Sequence, residues 1–282
     1  MFKSITAALI VVLLASASVF AIDKEFSQHM QNISVTVRTQ FGSGSGVLIT
    51  RKLKLNKDSD ECTTVNFCWT AAHVCDNLRS TRKIVDSDGN QKTVVEFKDA
   101  YIVQEIIQDG RSVGEYKMAA RIIKYSHAED GEDLCLLMLR KRNFTDVNAK
   151  FYLDEEPLYP GTKLFHVGSL LGAVGSNSVT FGVLSQVGRV LPIGSKGGVV
   201  FNQTSVTAMP GSSGGGVYLT QDSKEHKGQC IGLIVRGIGE SFNFIVPVSR
   251  MQRWCSDNNL MWALDETVEM PTLEEVNSLP IE

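Results

Sequence analysis

Gly211-Ser212-Ser213-Gly214-Gly215-Gly216 sets a pair of serines among glycines. Glycine permits sharp backbone turns, so the N–H groups of neighbouring peptide units are able to face one point. A serine hydroxyl is a weak nucleophile until a base takes its proton and a carboxylate holds that base in the right tautomer. The segment therefore predicts a partner histidine and a partner acid elsewhere in the chain.

Two upstream segments supply those partners. His73 ends a Trp-Thr-Ala-Ala-His segment that follows a strand-like run, which predicts a position at the edge of a cleft. Asp133 is the last of a cluster of acids and opens the apolar run 134–139, so its side chain is the one expected to point inward toward His73. The order predicts a catalytic triad of His73, Asp133 and Ser213, in which the histidine acts as the base.

The glycines around the serine also predict how developing negative charge is stabilised. The N–H groups of Gly211 and Ser213 are expected to form an oxyanion hole. Donors fixed in advance stabilise charge that forms only in the transition state, and the loss of one typically costs about 100- to 1000-fold in rate.

The remaining pattern is a series of short apolar runs separated by turn residues, which favours an all-β fold. The runs form two groups that meet near residues 148–161, so His73 and Asp133 fall in the first group and Ser213 in the second. A cleft between two β-barrels would therefore assemble the site. A helix is predicted to start near Ser249. The side chains expected on its buried side are Met251, Trp254, Cys255 and Leu260.

Several segments in the right order resemble one known family. They are residues 42–49 (Gly-Ser-Gly-Ser-Gly-Val-Leu-Ile), the segment ending at His73, Asp133-Leu134, residues 179–185, the Ser213 segment, residues 230–234 and residues 244–247. Over about residues 30–258 the chain resembles trypsin-like serine peptidases of the chymotrypsin fold, and in particular the Deg/HtrA-type and glutamyl-endopeptidase-like bacterial enzymes. The resemblance implies two six-stranded antiparallel β-barrels, a short C-terminal helix, and protein or peptide substrates cleaved through an acyl-enzyme.

The expected division of the chain follows from these groups. Residues 1–21 read as a secretory signal peptide, with Lys3 before an apolar stretch and small residues after it. Residues 22–150 are predicted to form the first barrel, and residues 151–263 the second barrel with the helix. The acidic tail 264–282 is expected to be solvated and partly disordered, the alternative being a segment that docks on the protein or on a partner. The chain is too short for the separate peptide-binding (PDZ) domain that many Deg/HtrA-type enzymes carry.

Composition narrows the partners. The net charge of −3 argues against nucleic acid, and no segment after the signal is apolar for long enough to cross a membrane. The expected location is extracellular or periplasmic, an oxidising compartment in which cysteines form disulfides. A Cys62–Cys75 link would close a short loop around His73, whereas a buried free thiol is an equally good interpretation of Cys135. No cysteine pair has the Cys-x2-Cys spacing of a metal site, and neither a metal nor a cofactor is expected.

The sequence says less about specificity. By offset from Ser213, the walls of the substrate pocket are predicted at Thr207, Gly232, Ile234 and Asn243. No acidic residue is evident there, which argues against cleavage after Lys or Arg and favours a small apolar or polar side chain. Ser212 stands where trypsin-like zymogens have an aspartate, so activation by an ion pair with a new N-terminus is not expected.

Two other interpretations compete with a peptidase. The Ser213 segment also fits the nucleophile elbow of an α/β-hydrolase esterase, but that motif requires a helix directly after the serine. Residues 214–220 are a poor helix start and a good strand. The second alternative is a catalytically inactive homologue of a serine protease that acts as a binding protein, although such proteins usually lack a triad residue and none is lost here.

Overall fold

The computed structural model describes residues 23–85, 87, 89–129, 131–193, 197–237 and 240–282. The predicted signal peptide, residues 1–21, lies outside the described residues. Within the described part, the strands are β1 Ser34–Arg38, β2 Ser43–Lys54, β3 Cys62–Thr70, β4 Arg79–Val85, β5 Gln91–Phe97, β6 Ala100–Gln108, β7 Arg111–Ser126, β8 Leu134–Leu139, β9 Lys163–Leu170, β10 Gly175–Leu191, β11 Val199–Thr204, β12 Gly216–Leu219, β13 Cys230–Gly237 and β14 Asn243–Pro247. The helices are α1 Lys24–Asn32, α2 Ala72–Cys75, α3 Val248–Asp257 and α4 Leu273–Ser278.

Twelve of these strands close into two antiparallel barrels. The first barrel has the order β1-β2-β3-β8-β7-β6, and the second has the order β10-β11-β14-β13-β12-β9. Strands β4 and β5 form a separate two-stranded sheet beside the first barrel. The predicted all-β fold with two six-stranded barrels and a short helix after the second barrel is confirmed.

The strand next to the predicted acid shows why the apolar runs become strands. All six residues of β8 are buried, so both of its faces are covered. When both faces of a strand are covered, apolar residues occupy every position and do not alternate with polar ones. Residues 134–139 show this continuous apolar pattern. The strand that follows Ser213, β12, is likewise buried at every position, and it excludes the helix that an α/β-hydrolase elbow needs. The esterase alternative is therefore wrong.

Helix α3 ties the end of the second barrel to the first. It begins at Val248 after Pro247, one residue before the predicted Ser249, and it buries Met251, Trp254 and Cys255 as expected. The ring of Trp254 packs edge-on against Trp69 of β3, with ring centroids 5.9 Å apart. The chain that follows α3 thus completes the core of the first barrel.

Helix α1, which precedes the first barrel, packs against the second barrel. In α1, the Asp23 carboxylate accepts the N–H of Phe26 at 2.7 Å, which caps the start of the helix. Phe26 then packs edge-on against Phe165 of β9, with centroids 5.6 Å apart. Because each end of the chain packs against the barrel that it does not belong to, the two barrels are held together on two sides.

The acidic tail is docked on the first barrel, so the expectation of a solvated, partly disordered end is wrong. Helix α4 starts with a capping box between Thr272 and Glu275, and it buries Leu273 and Val276. Beyond it, the backbone N–H of Tyr125 donates to the carbonyl of Ile281 at 2.7 Å. The physical reason is that the tail contains apolar residues at helical spacing between its acids. These residues, Leu273 and Val276, form one face of the helix and are buried.

The cysteines also correct the sequence analysis. All six lie in the described part of the chain and all are free thiols, so the expected Cys62–Cys75 disulfide is wrong. Strand β3 runs from Cys62 to Thr70, an extended span of about 26 Å, whereas a disulfide needs Cα atoms within about 7 Å. Cys135 is the buried thiol that the alternative described, and burial raises its pKa well above the ordinary value of a thiol.

The docked tail leads to a stability prediction. We expect Leu273→Ala to lower the free energy of unfolding by about 2–4 kcal/mol, because it removes a buried side chain and leaves a cavity. Equilibrium urea unfolding of the two proteins measures the difference. The matched control is Glu274→Gln, which changes an exposed neighbour in the same helix. A Leu273→Ala protein no less stable than the control would show that the tail is not packed in solution.

Candidate active site

His73 and Asp133 form a direct pair in the first barrel. Helix α2 follows β3 after one residue, Ala71, and presents the His73 ring toward the start of β8. The ring Nδ1–H donates to the Asp133 carboxylate, 3.0 Å from Oδ2 and 3.1 Å from Oδ1. The backbone N–H of His73 donates to the same Oδ1 at 3.1 Å. The carboxylate therefore fixes both the rotation of the ring and its tautomer, which leaves Nε2 as the basic nitrogen.

Two opposing effects set the proton affinity of the ring. Burial disfavours the charged imidazolium, but the hydrogen bond and the negative charge of Asp133, helped by Asp76, outweigh it, and the pKa of His73 is raised. The charge of Arg236 acts weakly in the opposite direction. The imidazolium that forms when His73 takes a proton is therefore stabilised in place.

Asp133 is held in its position by its backbone and by its neighbour. Its φ of 56° lies in the left-handed region, which non-glycine residues seldom occupy. The preceding residue, Glu132, accepts hydrogen bonds from Arg250 of α3, at 2.7 Å from Nε and 2.5 Å from Nη2. Arg250 is buried and its Nη2 also reaches the Glu132 carbonyl, so helix α3 of the second barrel anchors the loop that presents Asp133.

The serine segment forms a tight loop before β12. Gly211 and Gly214 have φ angles of 97° and 84°, which favour glycine at these two positions. The hydroxyl of Ser212 accepts the N–H of Met209 at 3.1 Å, and the N–H of Ser212 returns to the Met209 carbonyl at 2.8 Å. Among the described residues, no acceptor is bonded to the N–H of Gly211 or of Ser213. The predicted oxyanion donors are thus both available to a ligand.

Ser45 joins this loop to both barrels. Its hydroxyl donates to the Gly211 carbonyl at 2.7 Å and accepts the N–H of Ser169 at 2.7 Å. Its backbone N–H donates to the Ser213 carbonyl at 2.7 Å. The flanking Gly44 has no room for a side chain, since a Cβ there would lie 2.9 Å from that same carbonyl. The glycine-rich segment of β2 is therefore the surface on which the serine loop rests.

The chain segments that carry His73 and Ser213 come from different barrels and pack against each other. A Cβ on Gly214 would lie 2.7 Å from the backbone nitrogen of Ala71, so the loop that carries Ser213 packs against the chain that leads into His73. The Ser213 hydroxyl makes no hydrogen bond to His73 or to other described residues in this state. Bonds of this kind are often long in a free enzyme and tighten only when substrate is bound.

A cavity of about 710 Å³ opens beside Ser213, and we call it the Ser213 cavity. Of the predicted wall residues, Ile234 and Asn243 line it, while Thr207 and Gly232 do not. Ala208 lines it in place of Thr207, and Gly232 lies in β13 against the Val246 carbonyl of β14. The described lining residues are Leu191, Ala208, Met209, Pro210, Ser213, Ile234, Val235, Arg236, Gly237, Asn243 and Phe244.

Sequence reasoning missed Arg236 in this wall. The available signal was that Arg236 is the only charge in the apolar run 230–237. A charged side chain in such a run either leaves the core at a strand end or serves a site, because an unpaired buried charge is costly.

No second base competes with His73 in the core. His166 is fully buried beside the serine loop, and its Nδ1–H donates to the Gly216 carbonyl at 2.9 Å. Burial lowers the pKa of His166 to about 4, against a smaller opposing effect of that hydrogen bond, so it stays neutral. Its role is structural, in the core beside the serine loop.

Two absences concern the described residues alone. In that part of the chain, no group of three or more His, Cys, Asp or Glu side chains is placed to hold a metal ion. Nor does any helix there combine the length and apolar character needed to cross a membrane.

Comparisons with solved structures agree with this fold. The folded chain is similar to a crystal structure of Deg5, with a TM-score of 0.53 and 20% identity over 82% of this chain and 94% of that one. It is also similar to Rv3671c from M. tuberculosis H37Rv, in the inactive form of a serine-to-alanine mutant, with a TM-score of 0.53 and 13% identity over 85% and 95% of the two chains. At these identities the likeness concerns the fold alone.

Sequence comparison supplies the family. No curated protein matches the chain significantly. The family model described as the trypsin-like peptidase domain matches residues 44–233, which include His73, Asp133 and Ser213. The chain is therefore a member of the trypsin-like peptidase family, a serine protease with the double-barrel chymotrypsin fold.

Proposed function

We propose that this protein is an exported serine endopeptidase that hydrolyses peptide bonds through a triad of His73, Asp133 and Ser213. The observation that carries the proposal is the His73–Asp133 pair, with Nδ1 held at 3.0 Å from the carboxylate and Nε2 left as the base of the cleft that contains Ser213. A partly buried carboxylate–imidazole pair that raises the proton affinity of the ring supplies the base that a serine nucleophile requires.

The proposed reaction has two halves. In the first, Nε2 of His73 takes the proton of the Ser213 hydroxyl while the oxygen attacks the substrate carbonyl carbon, and a tetrahedral intermediate forms. Its negative oxygen accepts hydrogen bonds from the N–H groups of Gly211 and Ser213, the two donors without a partner among the described residues. The imidazolium then gives its proton to the leaving amine, and the carbon–nitrogen bond breaks.

The second half releases the acyl-enzyme. His73 takes a proton from a water molecule, and the resulting hydroxide attacks the ester that Ser213 carries. The same donors hold the second oxyanion, and His73 returns the proton to the Ser213 oxygen as the ester bond breaks. Asp133 stays ionised throughout and stabilises the imidazolium in both halves.

The serine loop supports activity without a proteolytic activation step. Ser212 is buried and closes a hydrogen-bonded turn with Met209, so no charged side chain waits there for a newly formed N-terminus. Ser45 holds the carbonyls of Gly211 and Ser213 at the same time. We therefore propose that the loop folds directly into its working conformation. Export remains tied to the signal peptide predicted at residues 1–21.

Ser213→Ala tests the nucleophile. We expect it to abolish covalent labelling by a fluorophosphonate and to lower turnover of a casein substrate on the order of a million-fold, because the attacking oxygen is gone. Labelling followed by mass spectrometry of the tryptic peptides measures the first effect. Ser256→Ala, which alters an exposed serine of α3, is the control and should label like the parent. A parent protein that binds peptides but is never labelled would instead support the inactive binding homologue.

The His73–Asp133 pair predicts a pH dependence. Because the pKa of His73 is raised above its ordinary 6.5, the neutral base is lost below that raised pKa, and the acid limb of kcat/KM should lie above pH 6.5. Asp133→Asn should lower kcat by about 10⁴-fold and move the limb to lower pH, since the carboxylate that supports the imidazolium is removed.

Steady-state kinetics from pH 5 to 9 measure both effects, and Glu129→Gln, an exposed acid of the same loop, is the control. The same raised pKa makes a stabilising contribution to the fold that is full below the unfolded value of about 6.5 and is lost as pH rises through the folded value. An acid limb that stays in place in Asp133→Asn would contradict the pairing.

A further inference from the structure

Arg236 is the one charged side chain among the described residues that line the Ser213 cavity. The lining otherwise consists of apolar groups, backbone and the Asn243 amide. Asn243 is fully buried, and its Nδ2 donates to the Val206 carbonyl at 2.8 Å while its Oδ1 has no partner among the described residues. The net charge of the described lining is therefore set by one guanidinium.

An irregularity in the sheet gives Arg236 its place. In the pairing of β13 with β14, Ile234 lies opposite Ile245, but the next pair is Arg236 with Phe244. Val235 is thus an extra residue on β13, a β-bulge. A bulge shifts the alternation of side chains by one residue and redirects the residue that follows it. Ile234, Val235 and Arg236 are consecutive residues, and all three belong to the lining of the cavity.

The guanidinium has no acceptor of its own. No hydrogen bond or ion pair joins the Arg236 side chain to the rest of the described chain, and its Nε is buried without a partner. Its positive charge is close enough to His73 to act against the protonation of the ring, as the direction of its effect on the His73 pKa shows. Within the described part of the chain, Arg236 is therefore a cation without a hydrogen-bond or ion-pair partner, in the wall of the cavity that Ser213 also lines.

We infer that the Ser213 cavity takes an acidic side chain of the substrate, and that Arg236 is the residue that selects it. Ser213 is part of the cavity lining, so the side chain that enters belongs to the residue whose carbonyl Ser213 attacks. A carboxylate in the cavity would accept hydrogen bonds from the guanidinium, including one from the buried Nε–H that has no acceptor among the described residues. The inference rests on the proposed peptidase function and adds the substrate class to it.

Other side chains fit this cavity less well. A lysine or arginine would bring a second positive charge against Arg236 at a site partly shielded from water. An apolar side chain would displace water from the guanidinium and leave it unpaired, which costs free energy. This conclusion replaces the small side chain expected from the sequence, an expectation formed without Arg236 in the wall.

Peptide amides that release aminomethylcoumarin test the inference. The substrates share one sequence and differ only in the residue before the scissile bond, which is Glu, Gln or Lys. Glu and Gln have the same shape, so their ratio isolates the charge. We expect kcat/KM for Glu to exceed that for Gln by about 10- to 100-fold, the usual value of a charge-assisted hydrogen bond, and Lys to be the poorest of the three.

Variants of Arg236 assign the effect to one residue. Arg236→Gln should reduce the Glu-to-Gln ratio to within about threefold, mostly by loss of activity on Glu, and Arg236→Glu should favour Lys. Arg253→Gln removes a positive charge from the exposed side of α3 and should keep the parent ratio. The rate of fluorophosphonate labelling is measured on every variant. It reports the reactivity of Ser213 toward a probe that places no charged side chain in the cavity.

The outcomes separate the two proposals. A parent enzyme that is labelled and cleaves Glu and Gln substrates equally well would overturn the role of Arg236 and leave the peptidase function standing. So would an unchanged Glu-to-Gln ratio in a normally labelled Arg236→Gln protein. A parent protein that is neither labelled nor active on any of the three substrates would instead overturn the proposed function itself.

Discussion

The geometry of the site depends on how Ser45 holds the serine loop against both barrels. The hydroxyl and the backbone N–H of this one buried residue bind the carbonyls of Gly211 and Ser213, and the hydroxyl also accepts from Ser169. Two carbonyls fixed by one residue restrict the conformation of the loop between them, and the N–H groups of Gly211 and Ser213 have no acceptor among the described residues. The site is thus assembled by contacts that need no substrate, which is the condition for effective electrostatic catalysis.

A site divided between two barrels needs further links, and the ends of the chain provide them. Helix α1 packs on the second barrel through Phe26, and helix α3 packs on the first through Trp254. The Arg250–Glu132 contact connects this packing to the chemistry, because it reaches the residue next to Asp133. The buried core of the first barrel is accordingly completed by residues that lie more than a hundred positions away in sequence.

The sequence was sufficient for features that depend on local motifs. His73, Asp133 and Ser213 could be proposed as a triad because each stands at a boundary between a turn and an apolar strand. Features that depend on register were not accessible: the bulge at Val235 alters the alternation of β13, and Arg236 was missed. Thr207 was chosen by its offset from Ser213, whereas its neighbour Ala208 lines the cavity. The disulfide failed for a related reason, since a short separation in sequence becomes a long distance along an extended strand. The sequence does contain a signal for the helix in the docked tail, namely the capping box of Thr272 and Glu275.

The docking of residues 273–282 has a consequence for how the protein is made. Lys124 and Tyr125 of β7 bind the carbonyls of Pro280 and Ile281, partners that are 156 positions later in the chain. During translation the first barrel emerges from the ribosome long before residues 273–282 do. Contacts between segments so far apart in sequence form late in folding. A nascent or truncated chain therefore lacks part of the support for the half that carries His73 and Asp133. Complete packing of the first barrel is therefore reached only in polypeptides that have been translated to residue 281.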